Sequence, residues 1–200
     1  MTPIADISEL EALYGTPGEA SLIKVADHIT PLYGKWIAAS RLCILSTVGP
    51  DGTDASPRGD DGPVVRVSDP NTLLLPDWRG NNRMDSLRNI VTDGRVSLMF
   101  LVAGSHNVVR VNGTAIVTTD AATCQSFEVS GRHPRSVVVI NVGEVYSQCA
   151  RALMRADVWG GNDHTANLPT IGELLAEAKS GFDSTAYDTQ WDARAAKTMW

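Results

Sequence analysis

The sequence predicts a mainly β, α+β fold: a six-stranded antiparallel barrel with peripheral helices. Six short β-prone runs follow one another in hairpin-like succession between residues 41 and 147. Only short helical stretches separate them, so the alternation of long helices and strands that builds a doubly wound sheet is missing. Closing the sheet removes its exposed edges, and a barrel this small is filled by its own side chains. A ligand is therefore expected outside the barrel, in a groove or at a subunit interface.

The chain reads as one domain over 1–200, with a helical segment at 1–40, a barrel core at 41–159 and a C-terminal helix and tail at 160–200. Residues 6–14 and 21–39 have helical character. In the second stretch Leu22, Val25, Ile29, Leu32 and Trp36 form an apolar stripe that Pro31 interrupts. The run RLCILSTV is the first strand, and GPDG after it suits a type I turn. TDASPRGDDGP leads outward, and VVRVSD and TLLLP pair across a turn at Ser68–Asn71.

Pro76 stops that strand. A donor-rich loop with Asp77, Arg79, Gly80, Asn81, Asn82 and Arg83 follows, before Met84, Leu87, Ile90 and Val91 take up helical spacing. Asn82 is the expected N-cap, with Asp85 in a capping-box-like position. Two readings fit this strand, loop and helix start. It binds an anion on free helix N–H groups, or Asn82 only caps the helix while Arg79 and Arg83 are solvated.

Beyond Asp93-Gly94, RVSLMFLV is a nearly continuous apolar run, as expected of a strand buried on both faces within a closed sheet or under a dimer interface. A turn at Ala103–His106 leads into NVVRVNGTAIVTT, with a bend or bulge expected at Gly113. Asp120 caps a helix over 121–129, GRHP is a loop, and SVVVINVGEVYS is the sixth strand, kinked at Gly143. CARALMRADVW fits a short helix or an extended segment. LPTIGELLAEAKSG carries a Thr170-x-x-Glu173 capping box and a stop at Gly181. The last nineteen residues are polar with scattered aromatics and are expected to wrap the surface.

The net charge of −6 and pI near 5.1 argue against a nucleic-acid or membrane-surface partner, which calls for a basic face. No apolar run approaches the roughly 18 residues of a membrane span, and the acidic N-terminus lacks signal-peptide blocks. Cys43, Cys124 and Cys149 read as buried free thiols of a cytoplasmic protein. His28, His106, His133 and His164 are dispersed, and no cysteine pair has zinc spacing, so no metal site is expected. Nucleophile-elbow, Rossmann and P-loop motifs are missing, which leaves an organic cofactor as the source of any demanding chemistry. Two polar strand-end clusters could hold one: Ser56-Pro57-Arg58-Gly59-Asp60 and Asp77 to Arg83.

SPRGDD, then LLLPDWRGNNRMDSLRNI, RVSLMFLV and VRVNGTA, occur in an order that resembles the FMN-binding split-barrel superfamily, which includes pyridoxamine 5'-phosphate oxidase. The narrower likeness is to a bacterial branch of oxidase-related FMN-dependent proteins, and it spans about Leu42 to Trp159. The resemblance implies a homodimeric flavoprotein with FMN at the subunit interface. It places Asn81, Asn82 and Arg83 at the phosphate, Pro76 and Asp77 near the ribityl chain, and Ser56, Arg58 and Gly59 along the ring or at the phosphate. Arg110 and Asn112 would contact the cofactor from the partner subunit, and Arg155 and Trp159 would approach the ring. Local alternatives stand beside these roles. Arg58 could pair with Asp60 or Asp61, Arg110 could be a cross-strand partner, and Trp159 could be a core aromatic.

True pyridoxamine phosphate oxidases carry a C-terminal R-x-H pattern that QWDARAAKTMW does not show, so the resemblance does not extend to a vitamin B6 substrate. The expected function is an FMN-dependent oxidoreductase acting on a small organic substrate by hydride transfer to or from flavin N5, with no acid or base assigned. The alternatives are a non-catalytic FMN-binding or redox-sensing protein, and a relative that uses haem or a deazaflavin.

Overall fold

The computed structural model describes residues 1–199. Three helices come first: α1 (Ile7–Tyr14), α2 (Glu19–Ile23) and α3 (Pro31–Ala39). The periodicity predicts helix over 21–39 interrupted at Pro31, and the break is longer than that: the chain leaves α2 after Ile23 and Ala26 bridges to Val145 before α3 begins at Pro31. Pro31 sits in the first turn of α3, where its missing N–H costs nothing. Thr30 caps that turn, its hydroxyl accepting from the Tyr33 N–H at 3.4 Å. The Tyr33 hydroxyl donates to the Lys24 carbonyl (2.6 Å) and accepts from the Ser147 N–H (3.2 Å), which fixes the helices to the sheet.

The strands are β1 (Leu42–Gly49), β2 (Gly52–Gly59), β3 (Arg66–Asp69) and β4 (Thr72–Asp77), then, after helix α4 (Asp85–Thr92), β5 (Arg95–Leu101) and β6 (Val108–Thr118). A short helix α5 (Ala121–Gln125) precedes β7 (Ser136–Gln148). They form one seven-stranded antiparallel sheet in the order β2-β1-β5-β6-β7-β4-β3. The sequence predicts six strands, and β2 is the addition. Its GTDASPRG run reads as a loop because Pro57 and two glycines break any pattern, yet an edge strand tolerates a proline.

Alternate residues of the strands point into one core, among them Cys43, Leu45, Leu73, Leu75, Leu98, Phe100, Val111 and Ile140. The apolar run on β5 suggests burial on both faces, but only Val96, Leu98 and Phe100 are buried, while Ser97, Met99 and Leu101 are half-buried on the other face. The β6–β7 register shifts between Asn112 and Gly113, leaving Gly143 as the extra residue of a bulge. A Cβ at Gly113 would lie 2.0 Å from the Asn141 carbonyl oxygen, so the backbones meet there only because residue 113 is glycine.

The C-terminal part forms α6 (Arg151–Arg155), α7 (Ile171–Ala178), α8 (Ser184–Thr189) and α9 (Trp191–Thr198). The Thr170–Glu173 capping box is present. CARALMRADVW takes its helical form in α6, α5 ends four residues before the expected 129, and the polar tail is two helices tied by Arg194 over the rings of Tyr187 (4.3 Å) and Trp191 (5.3 Å). Cys43 and Cys124 are buried free thiols, whereas Cys149 is exposed, contrary to expectation, because it follows the end of β7. Among the described residues no helix is long and apolar enough to cross a membrane.

The edges β2 and β3 are joined along the chain but share no ladder. The connecting residues 60–65 fold inward instead. Asp60 N–H donates to the Arg41 carbonyl (3.0 Å), Val64 N–H donates to the Ser40 carbonyl (2.8 Å), and Val64 and Val65 are buried. The barrel is therefore split along this seam.

Candidate functional site

A cavity of about 680 Å³ opens at the seam, between β2, the end of β4 and the loop from Asp77 to Met84. β2 contributes Ser56, Arg58 and Gly59, and the end of β4 contributes Pro76 and Asp77. These strands are not ladder neighbours, yet one Arg58 terminal nitrogen lies 2.5 Å from the Asp77 carboxylate, with both side chains 20% exposed. The alternative surface pairing of Arg58 does not form. Asp61 pairs with Arg41, and Asp60 accepts from the Trp78 indole N–H at 2.8 Å.

Arg58 Nε is buried without an acceptor among the described residues. A buried donor left unpaired costs about 1–3 kcal/mol, so the cavity wall favours a ligand that carries an acceptor. Opposite Arg58 on β1, the Cys43 thiol points into the core, and burial pushes it up to about 12 despite the opposing pull of the Arg58 charge.

The loop is shaped by two non-glycine residues in left-handed conformation, Asn82 (φ 60°) and Met84 (φ 61°). Asn82 is not the N-cap of α4. Met84 holds that position with no side-chain bond, and the Asn82 side chain instead accepts from Arg135 at 3.1 Å. Asn81 accepts from the Arg83 N–H (3.0 Å), and Asp85, expected to complete a capping box, pairs with Arg83 Nε. The buried Ser86 hydroxyl donates to Asp54 (2.5 Å) and Asn89 donates to Thr47 (3.1 Å), so the β1–β2 hairpin anchors the start of α4.

Seven of the ten sequence-predicted site residues thus converge on the cavity: Ser56, Arg58, Gly59, Pro76, Asp77, Asn81 and Asn82. Three do not line it. Arg83 points outward, its side chain 79% exposed beside Asp85. Arg110 lies over the Tyr146 ring at 5.2 Å, and the Trp159 indole donates to the Ser105 carbonyl at 2.8 Å. Asn112 donates to Glu144 at 2.6 Å. Arg135 and Met199 line the cavity without having been singled out by the sequence; Arg135 bonds Asn82 from 53 residues away, a separation over which no local pattern carries.

Residues 29–149 match the family model for pyridoxamine 5'-phosphate oxidase. The chain belongs to this family. The match covers β1 to β7 and every residue on the β2, β4 and loop walls of the cavity. No curated protein matches. Among solved structures, a HupZ variant from Group A Streptococcus is similar at 20% identity and a TM-score of 0.50, covering 60% of this chain and 99% of that one. That likeness supports the family's split-barrel architecture. A candidate pyridoxamine 5'-phosphate oxidase from Lactobacillus delbrueckii is 26% identical over 60% of this chain and 95% of that one, with a TM-score of 0.49. An FMN-binding protein from Syntrophomonas wolfei is 9% identical over 72% and 97%, with a TM-score of 0.45.

Proposed function

We propose that the protein is an FMN-dependent oxidoreductase that binds the cofactor in the seam cavity and acts on a small organic substrate. The observation that carries this reading is the buried, unpartnered Arg58 Nε on a cavity wall otherwise tied together by Arg58–Asp77. FMN offers a row of acceptors, in its ring carbonyls, ribityl hydroxyls and phosphate, to such a donor. Ser56, Arg58 and Gly59 would line one side of the flavin, and Pro76 and Asp77 would flank the ribityl chain. Asn81, Asn82 and Arg83 would hold the phosphate, Arg83 by turning away from an exposed ion pair that is worth little on its own. When bound, FMN supplies hydride exchange at N5.

The family membership supports a homodimer. In that assembly Arg110 and Trp159, which lie outside this chain's cavity, would contact the cofactor held by the partner subunit. The buried thiols of Cys43 and Cys124 suit a cytoplasmic location.

The test is an absorbance spectrum of the purified protein, followed by FMN titration and reduction of the loaded protein with NADH or NADPH. Retention or uptake of FMN, seen as flavin absorbance in the visible, then turnover with an acceptor, supports the enzyme. Protein that neither retains nor takes up FMN refutes the proposal. FMN uptake without turnover leaves a flavin-binding protein and refutes the catalytic part.

A further inference from the structure

Arg135 lies where the seam cavity meets a second groove of about 440 Å³, and it lines both. Its backbone is fixed by the sheet. It directly precedes β7, whose first residue, Ser136, is buried and pairs with Asp77 at the end of β4. One terminal nitrogen of its guanidinium donates to the Asn82 side-chain oxygen at 3.1 Å. That bond ties the β6–β7 connection to the cavity loop at a residue in left-handed conformation, Asn82 (φ 60°). A neutral amide leaves the charge of Arg135 unanswered, and among the described residues no carboxylate lies within ion-pair distance of it. The neighbouring arginines are placed differently. Arg58 is paired with Asp77, and Arg83 is held outside the cavity beside Asp85. Arg79 lines the cavity from within the loop itself, and no side-chain hydrogen bond fixes it there among the described residues.

We propose that Arg135 is the residue that selects the phosphorylated flavin, its guanidinium taking the FMN phosphate beside Asn81 and Asn82. The assignment rests on the flavin reading of the cavity. A guanidinium carries more N–H donors than one amide oxygen uses, and its planar fork matches phosphate oxygens in paired charge-assisted bonds. Arg135 already touches one of the two asparagines at the phosphate end, whereas Arg83 must first leave Asp85 and turn inward. A side chain held at both its backbone and its tip loses less freedom on binding than one drawn from solvent. Riboflavin has the same ring and ribityl chain without the dianion, so the charge of Arg135 favours FMN over riboflavin. A role confined to shaping the wall of the cavity would act on both flavins alike.

The experiment titrates FMN and riboflavin, by quenching of flavin fluorescence, into full-length wild type, Arg135→Gln and Arg135→Lys freed of any retained flavin. Each titration is run at low and at high salt, and each protein is melted. Wild type should bind FMN more tightly than riboflavin. Arg135→Gln should lose at least about tenfold in FMN affinity, with riboflavin affinity and thermal midpoint unchanged, and its FMN binding should respond less to salt. Arg135→Lys keeps the charge without the fork and should lose only part of the FMN preference. An unchanged FMN preference in Arg135→Gln overturns the proposal while the flavin reading stands. Equal loss of both flavins overturns it too, since Arg135 would then only brace the loop. So does a wild type that binds the two flavins equally well. A wild type that binds neither flavin refutes the flavin reading and the proposal with it.

Discussion

Replacing Arg58 with alanine separates a structural from a ligand-binding role for the seam. The guanidinium makes a 2.5 Å contact with Asp77 between strands that share no ladder, and both side chains are 20% exposed. Breaking a fully buried pair costs about 3–5 kcal/mol, while exposed pairs are worth about 0–1, so a loss of about 2 kcal/mol is expected here. For a chain of this size that corresponds to a fall of about 4–8 °C in Tm. Affinity for FMN should fall separately, because Arg58→Ala also removes the free Nε donor. One charge-assisted bond is worth about 1.5–3 kcal/mol, or roughly ten- to a hundredfold in Kd. Lysine at the same position restores charge but not the planar fork, and should recover less of the FMN affinity than of the Tm. The assays are thermal melting of the apoprotein and FMN titration followed by quenching of flavin fluorescence. A variant with lowered Tm but wild-type FMN affinity would show that Arg58 only closes the seam, and would refute the assignment of its Nε to the cofactor.

Arg83→Ala removes a side chain held outside the cavity by Asp85, so it should weaken FMN less than Arg58→Ala does; an equal or larger loss by the same titration would place the phosphate on the α4 side of the loop. Gly113→Ala forces a Cβ to within 2.0 Å of the Asn141 carbonyl oxygen, and denaturant unfolding should show a loss of about 3 kcal/mol or more. A near-neutral effect would mean that the bulge relaxes freely. Ellman's reagent should modify one thiol quickly in the native protein, Cys149, and all three after unfolding. Because burial raises Cys43 from 9.0 to about 12, the unfolded chain loses this proton first. The stability from burying the neutral thiol is complete below pH 9.0 and declines as pH rises towards 12. Unfolding curves at alkaline pH should show that decline lessened in Cys43→Ala.

What could be read from the sequence follows from how local each signal is. The strands with alternating or continuous apolar runs, the Thr170 capping box and the Gly113 bulge declare themselves within a few residues, and the structure contains them. β2 did not, because GTDASPRG has neither apolar alternation nor β-branched density. It is a strand because β1 supplies an eight-residue register for it to pair with. The helix start at residue 85 departs from the sequence pattern for a related reason. Asn82 has the right residue type for a cap, but its side chain is taken by Arg135, which arrives from the far end of the β6–β7 connection. Polar type marked the loop as a site; only tertiary contacts decided what each polar group does. Arg83 is the sharpest case, since the residue with the strongest sequence claim on a phosphate has its side chain turned to solvent beside Asp85.

The position of the site follows from the way the barrel fails to close. Phe100, Leu98, Leu45, Leu73 and Ile140 fill the interior, and a packed core of this kind leaves no room for a ligand within it. A fully laddered barrel would then offer only its outer surface. Here the chain passes from β2 to β3 through residues 60–65 without pairing the two edges, so backbone and side-chain polar groups of β2 face the end of β4 across a gap. Unpaired edges are ordinarily a liability that invites another chain to pair. In this protein proline at 57, the Arg58–Asp77 bridge and the inward-folded connection protect the edge while leaving donors available. The same break that leaves the two sheet edges unpaired therefore creates the seam cavity, and the Arg58 guanidinium that spans it ties the stability of the barrel to the walls of that cavity.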